Sequence, residues 1–157
     1  MSQRRVYQNQ YPYFITSCSF KRLPFFDDVI IAKLLSENIL AITKKYSSTL
    51  FAYCIMPNHI HLLIKFVGKE DVSIFMHDVK SITATILFQN KSIGSYLWQK
   101  RFYETVANSK EKYIASLQYI EQNHKLFHLD PKYSNPPYLF INKTAHLPGG
   151  ARVRMIN

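Results

Sequence analysis

The sequence predicts an α+β domain: a ferredoxin-like antiparallel sheet in the order β-α-β-β-α-β, followed by a C-terminal helix that carries a tyrosine. Three observations predict it. Four short runs of aromatic, β-branched and aliphatic residues are set apart by turn residues or by longer stretches of helical period. The second and third runs are joined only by Pro57-Asn58, a tight-turn pair, and so form a hairpin. The remaining runs are joined by helical stretches long enough to recross a sheet face.

In chain order, residues 12–20 read Pro-Tyr-Phe-Ile-Thr-Ser-Cys-Ser-Phe and predict the first strand. A basic loop, Lys21-Arg22-Leu23-Pro24, follows. Phe25-Phe26-Asp27-Asp28 then leads into a helix with an Asp as its N-cap. Ile31, Leu34, Leu35, Ile39 and Ile42 recur at helical spacing, and Ser47-Ser48 ends that helix near Tyr46. Residues 50–56 and 59–66 are the hairpin strands. A second helix spans 72–89, with Val72, Ile74, Phe75, Val79, Ile82, Ile86 and Leu87 as its apolar stripe. Residues 102–107 are the fourth strand, and Asn108 or Ser109 caps a third helix over about 110–124. The first two helices are expected to cover one face of the sheet and leave the other open. Residues 1–127 are taken as one domain. Residues 128–157, rich in Pro and basic residues, are taken as a tail that is weakly structured or packed on the core.

Candidate chemistry sits on the third strand. Alternate side chains of a strand share a face, so His59 and His61 lie together, about 6 to 7 Å apart along the chain. Ile60, Leu62, Ile64 and Phe66 take the opposite, core side. Two imidazoles side by side can ligate one cation; the competing reading is an incidental or structural pair. In the third helix, Tyr113, Ile114, Leu117 and Ile120 form the apolar stripe. Tyr119 and Asn123, four residues apart, share a face off that stripe. Among eleven tyrosines an exposed one is by itself an ordinary surface residue.

Bulk properties agree with a DNA-handling protein without requiring one. The chain has 157 residues, enough for one domain with a core, and 47% are hydrophobic, which argues against disorder. Twenty Lys+Arg against ten Asp+Glu give a net charge of +10, which suits a polyanionic partner or a solvated basic surface. Two cysteines, Cys18 and Cys54, form no disulfide framework and predict buried thiols in a reducing cytoplasm. No signal peptide or membrane span is evident.

Met56-Pro57-Asn58-His59-Ile60-His61-Leu62-Leu63-Ile64 closely resembles the HUH motif of the Y1, or IS200-like, single-tyrosine transposases. Phe25-Phe26-Asp27 resembles that family's segment after strand one, Val79-Lys80-Ser81 its second-helix Lys-Ser, and residues 97–104 its Trp-Gln region. Tyr119-Ile120-Glu121-Gln122-Asn123 resembles its catalytic-tyrosine helix. Together these cover about residues 10–125, and the Tyr-Ile-x-x-Asn form is similar to the REP-associated branch. The resemblance implies cleavage and rejoining of single-stranded or hairpin DNA, with Tyr119 as nucleophile. His59, His61 and Asn123 would hold a divalent metal, Mg²⁺ or Mn²⁺. It also implies a homodimer joined at the sheet edges, with Tyr119 and Asn123 meeting the histidine face within a chain or across the dimer, and with no nucleotide cofactor and no membrane. Lys80, Arg101, Lys100, Lys21 and Arg22 become candidate DNA contacts, with Arg4 and Arg5 beside them. Tyr103 is a candidate base-stacking residue, its competing place being the core. The chain departs from the branch at Glu121, where His is usual, and at His124, where Pro is usual. Either change points to altered substrate choice or decay; the intact His59, His61 and Tyr119 argue against decay.

Other readings make different demands. An RNA-recognition domain of the same element order needs an aromatic, basic string on its third strand, which His-Ile-His-Leu-Leu-Ile-Lys-Phe lacks. A domesticated, binding-only transposase would not need the triplet. A replication initiator or relaxase with H-x-H is usually larger.

Overall fold

The computed structural model describes residues 9–67, 71–91, 93 and 96–145. Its elements are β1 (Tyr13–Cys18), α1 (Val29–Lys45), β2 (Thr49–Met56), β3 (His59–Lys65), α2 (Val72–Gln89), β4 (Tyr103–Val106), α3 (Lys110–Leu126) and β5 (Leu139–Ile141). Short 3-10 turns lie at Phe20–Arg22, Phe25–Asp27 and Pro131–Ser134. The predicted α+β, ferredoxin-like order is present, with β5 as an addition. The strands form one antiparallel sheet in the order β4-β1-β3-β2-β5. Arg4 and Arg5 lie outside the described residues.

β3 is the central strand. Its register sets Thr16 and Cys54 beside His61, and Cys18 and Met56 beside His59. Ile60, Leu62 and Ile64 on the opposite face are fully buried. Each such side chain contributes about 1.5–3 kcal/mol when withdrawn from water. A one-residue slip would turn all three out and the histidines in, so the hydrophobic pattern fixes the face that carries the histidines.

The Ile60 face is covered by α1 and α2: Tyr53 reaches Ser36 of α1, and Phe66 packs edge-on against Phe75 of α2. Asp28 caps α1 by accepting from the N–H groups of Ile30 and Ile31, and Asp71 caps α2 through Ile74. The buried row of α2 is Val72, Phe75, Met76, Val79, Thr83 and Leu87. Ile74 and Ile82, expected in that stripe, are instead exposed, since at 100° per residue Ile74 lies opposite the buried row and Ile82 about a quarter turn to one side of it.

The histidine face is not open, contrary to the sequence expectation. α3 packs across β2 and β3 there, with Ser109 as its cap. A bulge between Leu50 and Ala52 inserts Phe51, whose ring meets Tyr113 of α3 edge-on at 5.2 Å. The segment after α3 also belongs to this layer. Tyr133 and Tyr138 are buried, and β5 pairs with β2. Tyr133 hydrogen-bonds the Asp27 carboxylate, Lys132 pairs with it at 2.9 Å, and the Tyr138 hydroxyl donates to the Asp27 carbonyl. β4 is an edge strand, and Tyr103 on it is 67% exposed rather than in the core.

Candidate active site

The turn that presents the histidines is stitched to the segment after β1. Ser19 donates through its backbone and its hydroxyl to the Asn58 carbonyl, and the Phe26 N–H donates to Pro57. The Ser19 hydroxyl also reaches the Leu23 carbonyl at 2.7 Å. These bonds hold Lys21 and Arg22 with φ of 51° and 52°. Two consecutive non-glycine residues in the left-handed region cost about 1–2 kcal/mol each, so the surrounding bonds must impose the shape.

Around that turn lies a cavity of about 490 Å³ lined by Thr16, Cys18, Arg22, Asn58, His59, His61, Tyr119, Phe127 and Leu129 among others. The two imidazole centroids are 4.8 Å apart. Thr16 Oγ1 lies 2.8 Å from His61 Nδ1, and Asn58 Oδ1 lies 2.8 Å from His59 Nδ1. Each ring thus uses Nδ1 on a neighbour, which leaves its Nε2 for a ligand. His61 Nε2 is buried and has no partner.

The electrostatics keep both rings neutral at neutral pH. Burial pushes His61 down to about 3, with the charge of His59 adding to the effect. Burial also lowers His59, helped by the Arg22 guanidinium and opposed by the nearby Asn123 amide. Neutral imidazoles keep a lone pair on Nε2, the form that binds metal. The Cys54 thiol beside His61 is pushed up to about 12 by burial, so it stays protonated and is no thiolate ligand.

α3 brings the other half. The Tyr119 ring stands edge-on to His61 at 5.2 Å between centroids and to Phe14 at 5.9 Å. One turn on, Asn123 is fully buried, and neither its amide oxygen nor its nitrogen makes a well-formed hydrogen bond. Another turn on, Phe127 stands edge-on to His59 at 6.1 Å. A buried, unsatisfied amide costs about 1–3 kcal/mol, so this one calls for a ligand. His61 Nε2, which is buried at the cavity, and the Asn123 amide, which lies beneath it close to His59, both lack a well-formed hydrogen bond. This donor set, two imidazoles and an amide oxygen, fits a divalent cation of the Mn²⁺ or Mg²⁺ kind completed by outside oxygens. Among the described residues no three His, Cys, Asp or Glu side chains gather into a metal group.

The structure thus brings together His59, His61, Tyr119, Asn123 and Arg22 from the sequence candidates, all within one chain. The others lie elsewhere. Lys80 donates to the carbonyls of Gln99 and Lys100, at 2.6 and 3.2 Å, and with Lys100 lines a separate groove that also holds Tyr96 and Trp98. Arg101 is exposed, and Lys21 lies over the Phe20 ring. Thr16, Asn58 and Phe127 were not singled out by sequence. Extending the Tyr119, Asn123 row by four residues finds Phe127; Thr16 emerges only from the strand register.

Residues 7–123 match the family model for IS200-like transposases. Among solved structures, the chain is similar in fold to a REP-associated tyrosine transposase bound to a REP hairpin, with a TM-score of 0.71 and 18% identity over 100% of both chains. It is also similar to a putative transposase from Deinococcus radiodurans R1, with a TM-score of 0.55 and 22% identity over 79% of this chain and 97% of that one. No curated protein matches it.

Proposed function

This chain belongs to the IS200-like transposase family, and we propose that it cleaves and rejoins single-stranded DNA through a 5′-phosphotyrosine on Tyr119. The observation that carries the reading is the meeting of two chemistries in one cavity. The Tyr119 ring stands on His61, while the unpartnered Asn123 amide, one helical turn away, lies near His59. Hairpin-forming DNA is the proposed substrate; the basic charge of the chain and the hairpin carried by a structural neighbour support it.

His59, His61 and Asn123 would hold a divalent metal, Mn²⁺ or Mg²⁺. When bound it would polarise the scissile phosphate and offset charge in the transition state. The phenolic oxygen of Tyr119 attacks phosphorus, its proton passing to solvent. The P–O3′ bond breaks, and the leaving oxygen takes up a proton to become a free 3′-OH. The phosphodiester becomes a phosphotyrosine ester of similar energy, so the 3′-OH of another strand can reverse the step without ATP. Thr16 and Asn58 hold the two rings by Nδ1, and Phe14 and Phe127 limit the motion of Tyr119 and His59. Within one chain His59, His61, Tyr119 and Asn123 already stand together, which supports a site built in cis; a homodimer would serve to pair two DNA ends. Among the described residues no helix is long and apolar enough to cross a membrane. A reducing cytoplasm suits the two buried free thiols.

The test is direct. The protein is incubated with single-stranded hairpin DNA from the flanks of its own gene and Mn²⁺ or Mg²⁺, then run on a denaturing gel. A covalent protein–DNA adduct is expected, and it should vanish in Tyr119→Phe and His61→Ala. An adduct that survives Tyr119→Phe overturns the nucleophile assignment. Binding with no adduct from the unaltered protein favours a domesticated, binding-only role.

A further inference from the structure

Among the described residues, Arg22 is the only permanently charged one lining the cavity that holds His59, His61 and Tyr119. No carboxylate lines that cavity, and Arg22 has no ion pair among the described residues. Its charge is felt at His59, although both imidazoles beside it stay neutral. Its backbone, like that of Lys21 before it, is held left-handed by bonds to Ser19, the residue that also fastens the Asn58 turn. Arg22 is solvent-exposed, and this enforced backbone fixes the direction from which its side chain reaches the cavity.

The geometry points to Arg22 as a catalytic residue that contacts the non-bridging oxygens of the scissile phosphate and stabilises the charge they gather as Tyr119 attacks. The assignment rests on the phosphotyrosine reading of the same site. A guanidinium suits the role: it stays charged at any working pH and offers two parallel N–H groups to one phosphate. Phe127 and Leu129 beside it make that part of the cavity apolar, which strengthens the attraction. Lys21, one residue earlier, lies over the Phe20 ring and does not line the cavity, so the two cations of this loop have different tasks.

The test measures single-turnover adduct formation at saturating hairpin DNA with Mn²⁺. Arg22→Ala should slow the rate about 100-fold, the scale of losing one preorganised charge-stabilising group. Arg22→Lys should recover much of that loss, whereas Lys44→Ala, an exposed lysine on α1 that removes equal charge, should leave the rate unchanged. A scissile methylphosphonate removes one negative charge from the reacting group. On that linkage Arg22→Ala and the unaltered protein should differ by less than about 3-fold, because the charge answered by the guanidinium is gone. An equal loss on both linkages, or a loss confined to DNA affinity with the saturated rate intact, overturns the assignment. If neither protein cleaves the methylphosphonate, the saturated rate on ordinary DNA decides between these outcomes. Absence of any Tyr119-dependent adduct from the unaltered protein would instead overturn the underlying reading, and the role of Arg22 with it.

Discussion

His59 and His61 ride on a strand paired on both sides, β1 and β2, so the hydrogen-bond ladder and the buried Ile60, Leu62 and Ile64 hold them. Tyr119 and Asn123 ride on a helix whose backbone bonds are internal. Its position depends on side chains: Tyr113 against Phe51, Leu117 and Ile120 in the core, and the segment that follows it. A third support is more remote. Tyr133, Lys132 and Tyr138 tie that following segment to Asp27, whose neighbour Phe26 is bonded to the Pro57 turn. The histidine half is thus built by sheet register, and the tyrosine half is docked onto it. Changes to the first should act by removing ligands, and changes to the second by misplacing groups that are still present.

Asn123 gives the largest expected effect and joins both halves. Its amide is buried near His59 with neither polar atom in a well-formed hydrogen bond, a burden that a bound metal would relieve. Asn123→Leu, which keeps the number and branching of the side-chain heavy atoms while removing both polar ones, should raise metal-free stability by about 1–2 kcal/mol. The same change should cut adduct formation by at least about 100-fold, more than the loss of a residue that merely orients a ligand. Urea unfolding in chelator and the gel assay read the two effects. A destabilised Asn123→Leu would mean the amide is satisfied in solution and would sink its role as third donor.

Acid comes next and strikes the histidine half. His61 is held at about 3 in the folded protein against 6.5 when unfolded. Above pH 6.5 both states are neutral and the fold keeps its full stability. Below pH 6.5 the unfolded chain takes up a proton that the folded one refuses until near pH 3, so stability falls as pH falls. Between pH 6.5 and 4.5 the loss should be roughly 2–3 kcal/mol, and His59, lowered in the same direction, adds to it. The carboxylates lowered in the fold, Asp27 and Asp78, lose their contribution only at more acid pH and leave this window to the histidines. Urea midpoints at several pH values in chelator would show the slope, and a midpoint flat from pH 6.5 to 4.5 would contradict the burial argument.

The same division governs what the sequence could reveal. The histidine face follows from period-2 alternation, and the hairpin from Pro57-Asn58, because both are local. The row of Tyr119 and Asn123 is equally local. That α3 closes over the histidine face could not be read from periodicity, because α3 buries Asn123 beside its apolar stripe and exposes part of Tyr119. Nor could the tether at Asp27: its partners lie 106 and 111 residues away, in a stretch with no strand period and only three residues of β5. Lys80 is a different case. A lysine in a recognised stretch looks like a DNA contact, yet its ammonium is occupied by two carbonyls of the 99–100 segment.

The tether itself gives the smallest effect and the sharpest test of docking. Tyr133 and Lys132 hold the Asp27 carboxyl below the usual carboxylate range, and the pair is partly exposed, so its thermodynamic weight is modest. Asp27→Asn should cost no more than about 1 kcal/mol of stability. Its effect on chemistry should be larger in proportion, because Leu129 lines the cavity and is bonded to His124 at the end of α3. A loosened end lets Tyr119 and Asn123 drift from the histidines. Adduct formation should fall roughly 10-fold at saturating DNA with affinity nearly unchanged, short of the 100-fold that a shift of about 1 Å can cost. Tyr133→Phe should act in the same direction, and the double variant should lose little more than either single one, since both weaken the same contact. Stability that drops while the saturated rate holds would mean the tether supports the fold alone. The docking of α3 would then be set by its contacts with β2 and β3.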